Sequence, residues 1–309
     1  MKNRRRRIFL YYLIRLGIWI VNGLPRKVAL CFASFAGWCF FYLVARQRKK
    51  ILRNLRLAWK EEKTEKEIRR IARKVLQNLA MTAVDVIRFP KMTKESLREW
   101  IHYEDEFSRI NRILDEGKGV IILTAHIGNW ELLAASFGVM GYHGAVVGRR
   151  IYYEKYNQLV VKLRESVRVR TLYRDGSPKD ILKVLKANQI LGMLADQDVD
   201  SIEGVFVDFF GQTAYTPVAP VKLAMAAETV IVPGFVIREG DHYRLILEEP
   251  ITPEITQGNK QEAVQKYTER WSAIVEKYIR KYPEQWVWMH DRWKTRPKPT
   301  VHEESREIG

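Results

Sequence analysis

The sequence predicts an α/β fold, a mixed sheet flanked by helices, behind an N-terminal hydrophobic helical membrane anchor. Three observations carry this prediction. Short apolar runs alternate with amphipathic segments from residue 118 onward, two apolar stretches open the chain, and basic clusters bracket both stretches. Short continuous apolar runs read as buried strands, and strands alternating with helices build a sheet with helices on its faces. A length of 309 residues suits one large domain with an anchor. No repeat, low-complexity tract or long linker divides residues 51–309. The expected organisation is an anchor with basic flanks over 1–50 and a single folded domain over 51–309.

The chain opens with KNRRRR at 2–7, followed by the apolar run IFLYYLIRLGIWIVNGL at 8–24. PRK at 25–27 separates it from VALCFASFAGWCFFYLVA at 28–45, which carries no charge, and RQRKK closes the region at 46–50. No small-residue cleavage site follows the first run, which argues against a secretory signal. A spanning helix needs about 20 apolar residues, and each run falls short. Positive charge is retained on the cytoplasmic side. Basic clusters at both outer ends favour a shallow hairpin, or two interfacial helices whose Arg15 and Lys27 reach to head groups. A single crossing by 8–24 and a pair of buried helices in a soluble bundle are the alternatives. Cys31 and Cys39 lie inside the second run and read as small hydrophobes rather than as a disulfide or zinc pair.

Further along, residues 64–88 read as a helix. Thr64 and Glu67 form a capping box, and Ile68, Ile71, Val75, Leu79 and Val86 follow at helical spacing. Strands are expected at 119–125, 144–148, 190–195, 229–237 and 243–249, the last two pairing as a hairpin through 239–241. Helices are expected at 131–140, 178–188, 217–227 and 260–281. The net charge of +17 calls for an anionic partner. An anionic membrane surface, a phosphorylated substrate, an acidic carrier protein and nucleic acid all qualify. The position of the charges beside apolar runs favours the membrane. Nucleic acid is disfavoured, because no tract of interleaved basic and aromatic residues occurs in 118–250.

The segment TAHIGNWE, 124–131, carries the most chemistry. A buried strand ends there, a polar turn with His126, Gly128 and Asn129 follows, and a helix starts near Trp130. Ligand and catalytic groups in open α/β sheets gather at the carboxyl ends of strands. Glu131, in the first helical turn, is favoured by the helix dipole and is expected to reach back to the imidazole of His126. A carboxylate on one ring nitrogen fixes the tautomer, so the other nitrogen can take a proton from a hydroxyl. Spacing alone supports equally a structural histidine bonded to a helix cap. No serine or cysteine nearby stands out as a nucleophile and no second histidine completes a metal motif. The reading is therefore general-base catalysis on a substrate hydroxyl, with no metal.

Several motifs in order extend this reading. They are Arg53-Asn54-Leu55, TAHIGNWE, GMLADQD at 192–198, GVFVDFFGQTAYTP at 204–217 and YPEQWVWMHDRWKTRP at 282–297. The chain resembles the bacterial lipid A late acyltransferase family, the lauroyl and myristoyl acyltransferases of lipopolysaccharide synthesis. That family belongs with the glycerolipid acyltransferases and their HxxxxD/E motif. The resemblance implies a glycerolipid-acyltransferase-like fold over residues 51–309, located at the inner membrane and facing the cytoplasm. It implies acyl carrier protein as partner and acyl donor, no further cofactor, and a phosphorylated glycolipid of the Kdo-lipid A type as acceptor. His126 would be the base and Glu131 its orienter, with backbone N–H groups around Gly128–Trp130 candidates for the oxyanion. Arg149 and Arg164 fall where the family places arginine, and this side chain suits phosphate. Asn129, Asp196 and Gln197 are further candidate substrate contacts. Asp198 reads as a loop-backbone partner, Phe209 and Phe210 as groove wall or core, and Trp286, Trp288 and Trp293 as packing. His290 reads as structural, and His102, His143, His242 and His302 carry no assignment. Acylation of another lipid, such as a glycerophospholipid, a phosphatidylinositol mannoside or an aminolipid, is the alternative within enzymes. A non-enzymatic basic membrane-binding protein is the alternative outside them.

Overall fold

The computed structural model describes residues 2–255 and 259–297. Its helices are α1 (Lys2–Gly23), α2 (Arg26–Leu43), α3 (Ala45–Trp59), α4 (Glu65–Ile87), α5 (Lys94–Trp100), α6 (Glu106–Asp115), α7 (Trp130–Met140), α8 (Glu154–Glu165), α9 (Pro178–Lys186), α10 (Ala219–Ala227) and α11 (Lys260–Lys281). Its strands are β1 (Ile101–His102), β2 (Val120–Thr124), β3 (Gly144–Gly148), β4 (Arg170–Tyr173), β5 (Ile190–Leu194), β6 (Gly204–Asp208), β7 (Thr213–Pro217), β8 (Val230–Glu239) and β9 (His242–Leu247).

Seven strands form one mixed sheet in the order β1-β9-β8-β2-β5-β3-β4, in which only β8 and β9 run antiparallel to each other. β2 is buried along its whole length, which is why its sequence, VIILT, shows no polar alternation. The expected helices and strands all appear. β1, β4 and the antiparallel pair β6–β7 are additions. The helix expected from 217 begins at Ala219, because Thr216 and Pro217 complete β7. The capping box at Thr64 is formed. The Glu67 N–H donates to Thr64 Oγ1 at 3.3 Å, and the Thr64 N–H donates to the Glu67 carboxylate at 2.8 Å.

The boundary expected at residue 50 falls inside α3, which buries Ile51, Leu52, Leu55 and Trp59 in the main core. The N-terminal helices therefore join the domain without a linker. α2 lies along α4, with Ala29, Leu30, Gly37 and Phe41 buried. At Gly37 a Cβ would lie 2.5 Å from the Leu76 carbonyl oxygen, so the glycine sets how closely the two helices approach. Among the described residues, α2 is the one helix long and apolar enough to cross a membrane.

A buried polar chain ties these helices to the sheet. Arg26, at the start of α2, donates to Asp85 of α4 at 2.7 and 3.2 Å. Asp85 also accepts from Arg238 of β8 at 3.1 Å and from the Tyr243 hydroxyl of β9 at 2.6 Å. The Tyr243 hydroxyl in turn accepts from the Asn129 amide at 3.2 Å. Burial, and then the neighbouring Asp85 charge, push the Tyr243 phenol well above its ordinary range, so it stays protonated and donates.

Candidate active site

β2 and β5 pair in parallel register, with Thr124 opposite Leu194. Two residues past each strand end stand His126 and Asp196. The turn that carries His126 is held by backbone bonds. The Gly128 N–H donates to the Gln285 carbonyl at 3.1 Å, Asn129 N–H to Val236 at 2.8 Å, and Val287 N–H to the His126 carbonyl at 3.0 Å. Gly128 has φ +61°, and a Cβ there would stand 2.0 Å from the Val236 carbonyl oxygen. Left-handed strain and overpacking together cost about 2–5 kcal/mol. Gly128→Ala is expected to lower Tm by roughly 5–10 °C in thermal unfolding, and an unchanged Tm would contradict this account of the turn.

The imidazole of His126 is held by Asp196, not by Glu131. His126 Nδ1 lies 2.8 Å from Asp196 Oδ1, while Asp196 Oδ2 accepts from the His126 backbone N–H at 2.9 Å and the Trp286 indole N–H at 2.8 Å. Burial alone would raise the Asp196 carboxyl. Attraction to the His126 ring when it is protonated, together with these three donors, outweighs burial and brings the group down to about 2. An ionised carboxylate only accepts, so Nδ1 carries a proton, and in the neutral imidazole the lone pair is on Nε2. Gln197 Nε2 lies 3.1 and 3.2 Å from the two ring nitrogens of His126, over the face of the ring, and 2.6 Å from His290 Nε2. The amide thus bridges the two imidazoles. His290 is held below its ordinary value, by burial first and then by repulsion from the neighbouring His126 ring when that is protonated. Trp130 places its ring edge-on to His126 at 5.2 Å between centroids.

Glu131 binds Arg164 instead, through a two-pronged pair at 2.8 and 2.6 Å. Two causes turn it away from the histidine. Asp196 already fills Nδ1, and the guanidinium fork of Arg164 matches both carboxylate oxygens. Burial works against the charge of Arg164, but the bonds from Glu131 outweigh it and raise the group above its ordinary value. Arg164 is therefore neutralised by protein rather than open to a phosphate. Each side chain is 15% exposed. Removing one partner of such a pair is expected to cost about 1–3 kcal/mol, below the figure for full burial. By denaturant unfolding, Glu131→Ala should destabilise by that amount and Glu131→Ala/Arg164→Leu by less than the sum of the two single changes. Strict additivity would show that the pair is not coupled.

Other expectations shift as well. Asn129 is fully buried and caps α7, accepting the Leu132 N–H at 3.0 Å and donating to Tyr243, so it faces the fold and not a ligand. The amides of Gly128 and Asn129 are taken by carbonyls, which leaves Trp130 from the expected oxyanion donors. Arg149 is exposed just past β3, and among the described residues it has no ion-pair partner. Phe209 and Phe210 pack in the core against Trp59, Trp286 and Trp293. Asp198 accepts the Thr295 N–H at 2.8 Å and fixes the C-terminal loop. His290, read from sequence as structural, stands in the site with its ring 5.6 Å from that of His126. His302 lies outside the described residues.

A narrow apolar cavity lies between α7, β3 and β5, and its lining reaches Thr124 and Trp130, on either side of His126 in the chain. Leu133, Phe137, Val146 and Met193 also line it. The arrangement offers a fixed proton acceptor at the carboxyl edge of a sheet, with an apolar cavity that reaches the same strand ends. It can deprotonate a hydroxyl next to an apolar chain, the chemistry of an acyltransferase.

The comparisons agree. Residues 1–295 match the family described as bacterial lipid A biosynthesis acyltransferase. The chain is 27% identical to the lipid A biosynthesis lauroyltransferase of Escherichia coli (strain K12), over 93% of each chain. It is 26% identical to the lipid A biosynthesis palmitoleoyltransferase of the same organism, over 91% of this chain and 89% of that one. It is also 26% identical to the phosphatidylinositol mannoside acyltransferase of Mycolicibacterium smegmatis, over 68% and 67%. The chain belongs to the bacterial lipid A biosynthesis acyltransferase family.

Proposed function

We propose that this acyltransferase moves a fatty acyl group from acyl carrier protein to a hydroxyl of a phosphorylated glucosamine lipid, a lipid A precursor of the Kdo-lipid A type. The observation that carries the reading is the His126–Asp196 pair at the strand ends, with an apolar cavity reaching Thr124, Trp130 and Leu194. The acceptor hydroxyl approaches His126 beside the Gln197 amide and gives Nε2 its proton. The hydroxyl oxygen attacks the thioester carbonyl, whose electrons pass to the oxygen. The Trp130 N–H at the start of α7 faces the developing charge, where the helix dipole favours an anion. The carbon–sulfur bond then breaks, and the imidazolium returns the proton to the departing thiolate. The apolar cavity takes the acyl chain. Exposed Arg149 meets a phosphate of the acceptor, and the basic surface meets anionic lipid. The enzyme works at the inner membrane with its site toward the cytoplasm, where acyl carrier protein is found. The test is purified protein with acyl-acyl carrier protein and a lipid A precursor, the product read by mass spectrometry. Parallel reactions offer a phosphatidylinositol mannoside, because one relative bears that name. Acylation of the mannoside alone would overturn the acceptor assignment.

A further inference from the structure

The N-terminal helices touch the domain at both ends of each, and this decides how they meet a membrane. Near its start, α1 accepts a hydrogen bond from the Tyr156 hydroxyl of α8 at the Arg7 carbonyl, 3.1 Å, and stacks Tyr11 on Tyr156. At its other end the Arg88 guanidinium donates to the Val21 and Leu24 carbonyls at 2.6 and 2.9 Å, and Lys91 donates to the Asn22 carbonyl at 2.6 Å. These cations cap the carboxyl end of α1, where a helix favours positive charge. α2 begins one turn later, with Arg26 locked on buried Asp85 and Lys27 3.0 Å from Asp241. Its far end runs into α3, which is part of the core.

The opposite faces of the two helices are apolar and uncovered. α1 exposes Phe9, Tyr12, Leu13, Leu16 and Trp19, and α2 exposes Phe32, Phe35, Trp38, Tyr42 and Leu43. Soluble surfaces rarely expose so much contiguous apolar area. Basic residues stand at the edges of this face, at Arg6, Arg7 and Lys27 and again at 46–50. An apolar face rimmed by cations matches an anionic bilayer interface, where aromatic and basic side chains gather. For α2 to cross instead, it would have to leave α4 and strip buried Asp85 of Arg26.

We propose that α1 and α2 lie in the plane of the membrane as a docking face and that neither crosses it, although α2 alone has the length and composition to do so. The inference rests on the membrane association set out above. The hinge at 23–25 and the N-terminal end then lie on the same side as the catalytic domain.

The experiment uses the full chain with Cys31→Ser and Cys39→Ser, which removes both native cysteines. Single cysteines are placed as Gly23→Cys at the hinge, where a side chain meets open space, and as Arg6→Cys. Lys186→Cys on α9 serves as reference. Membrane vesicles of both orientations are treated with an impermeant maleimide, and each variant is first checked for wild-type acyl transfer. The expected result is that all three positions react from the same side. Reaction of Gly23→Cys or Arg6→Cys from the side opposite to Lys186→Cys overturns the proposal. A second measurement places a fluorophore on Phe35→Cys, midway along α2, in vesicles of phosphatidylethanolamine and phosphatidylglycerol. Lipids brominated near the head group should quench it more than lipids brominated near the chain end. The reverse order overturns the in-plane geometry while leaving membrane association intact. Recovery of the chain in the soluble fraction overturns the membrane reading and this proposal together.

Discussion

His126→Ala is expected to lower kcat for acyl transfer by roughly 10²- to 10⁴-fold, the usual contribution of a positioned general base. The change removes the one imidazole whose Nε2 is fixed as an acceptor by a buried carboxylate. It leaves the apolar cavity open, so KM for the acyl donor should change little. The side chain is 23% exposed, and its loss empties little core, so the variant should keep nearly wild-type Tm. Steady-state kinetics with a circular dichroism melt checks both halves. Activity within a few-fold of wild type would mean that His126 only braces the turn.

Asp196→Asn carries the second large effect, and it should strike both activity and stability. Three donors converge on the two carboxylate oxygens, namely the His126 ring, the His126 backbone N–H and the Trp286 indole. An asparagine cannot accept all three. With its NH₂ group on the Oδ2 side it faces two donors, and turned around it faces Nδ1 and forces the wrong tautomer. A loss in kcat of about 10²-fold or more is expected from misassigned tautomer alone. The stability effect follows from linkage. The carboxyl sits at about 2 in the folded chain against an ordinary 3.8. Its stabilising contribution, about 2 kcal/mol, is complete above 3.8 and is lost as pH falls toward 2. The neutral state of His290 adds an earlier acid sensitivity. Its folded value lies below the ordinary 6.5, so the unfolded chain takes up the proton first and stability declines as pH falls through that value. Denaturant unfolding of Asp196→Asn across this range is the check. An acid limb identical to that of wild type would contradict the linkage.

The sequence made the sheet legible because its central strands are buried on both faces. VIILT and ILGML contain no polar alternation, and only a buried strand reads that way. β4 and the β6–β7 pair were hidden because their residues are partly exposed and mixed in character. Within the site, His126 was legible from its place after a strand. Its partner was not. Glu131 lies five residues away and Asp196 seventy, and only the in-register pairing of β2 with β5 brings the second one close. That register suggests where such partners are found, since residues at equal distance past adjacent parallel strands stand side by side. His290 lay inside the C-terminal motif at 282–297, but nothing in that motif's spacing pointed to His126. It arrives through the bridge between Trp286 and Ile127, a contact made by the C-terminal segment after the sheet is complete.

The buried chain from Arg26 to Asn129 limits how the N-terminal region can be exchanged. A chimaera in which an unrelated helix replaced residues 1–44 would leave Asp85 with one arginine instead of two. The orphaned carboxylate shares its oxygen with the Tyr243 hydroxyl, which holds the asparagine three residues from His126. The N-terminal region of this enzyme is thus not a module that can be swapped for any other. It is one end of the scaffold that shapes the catalytic turn.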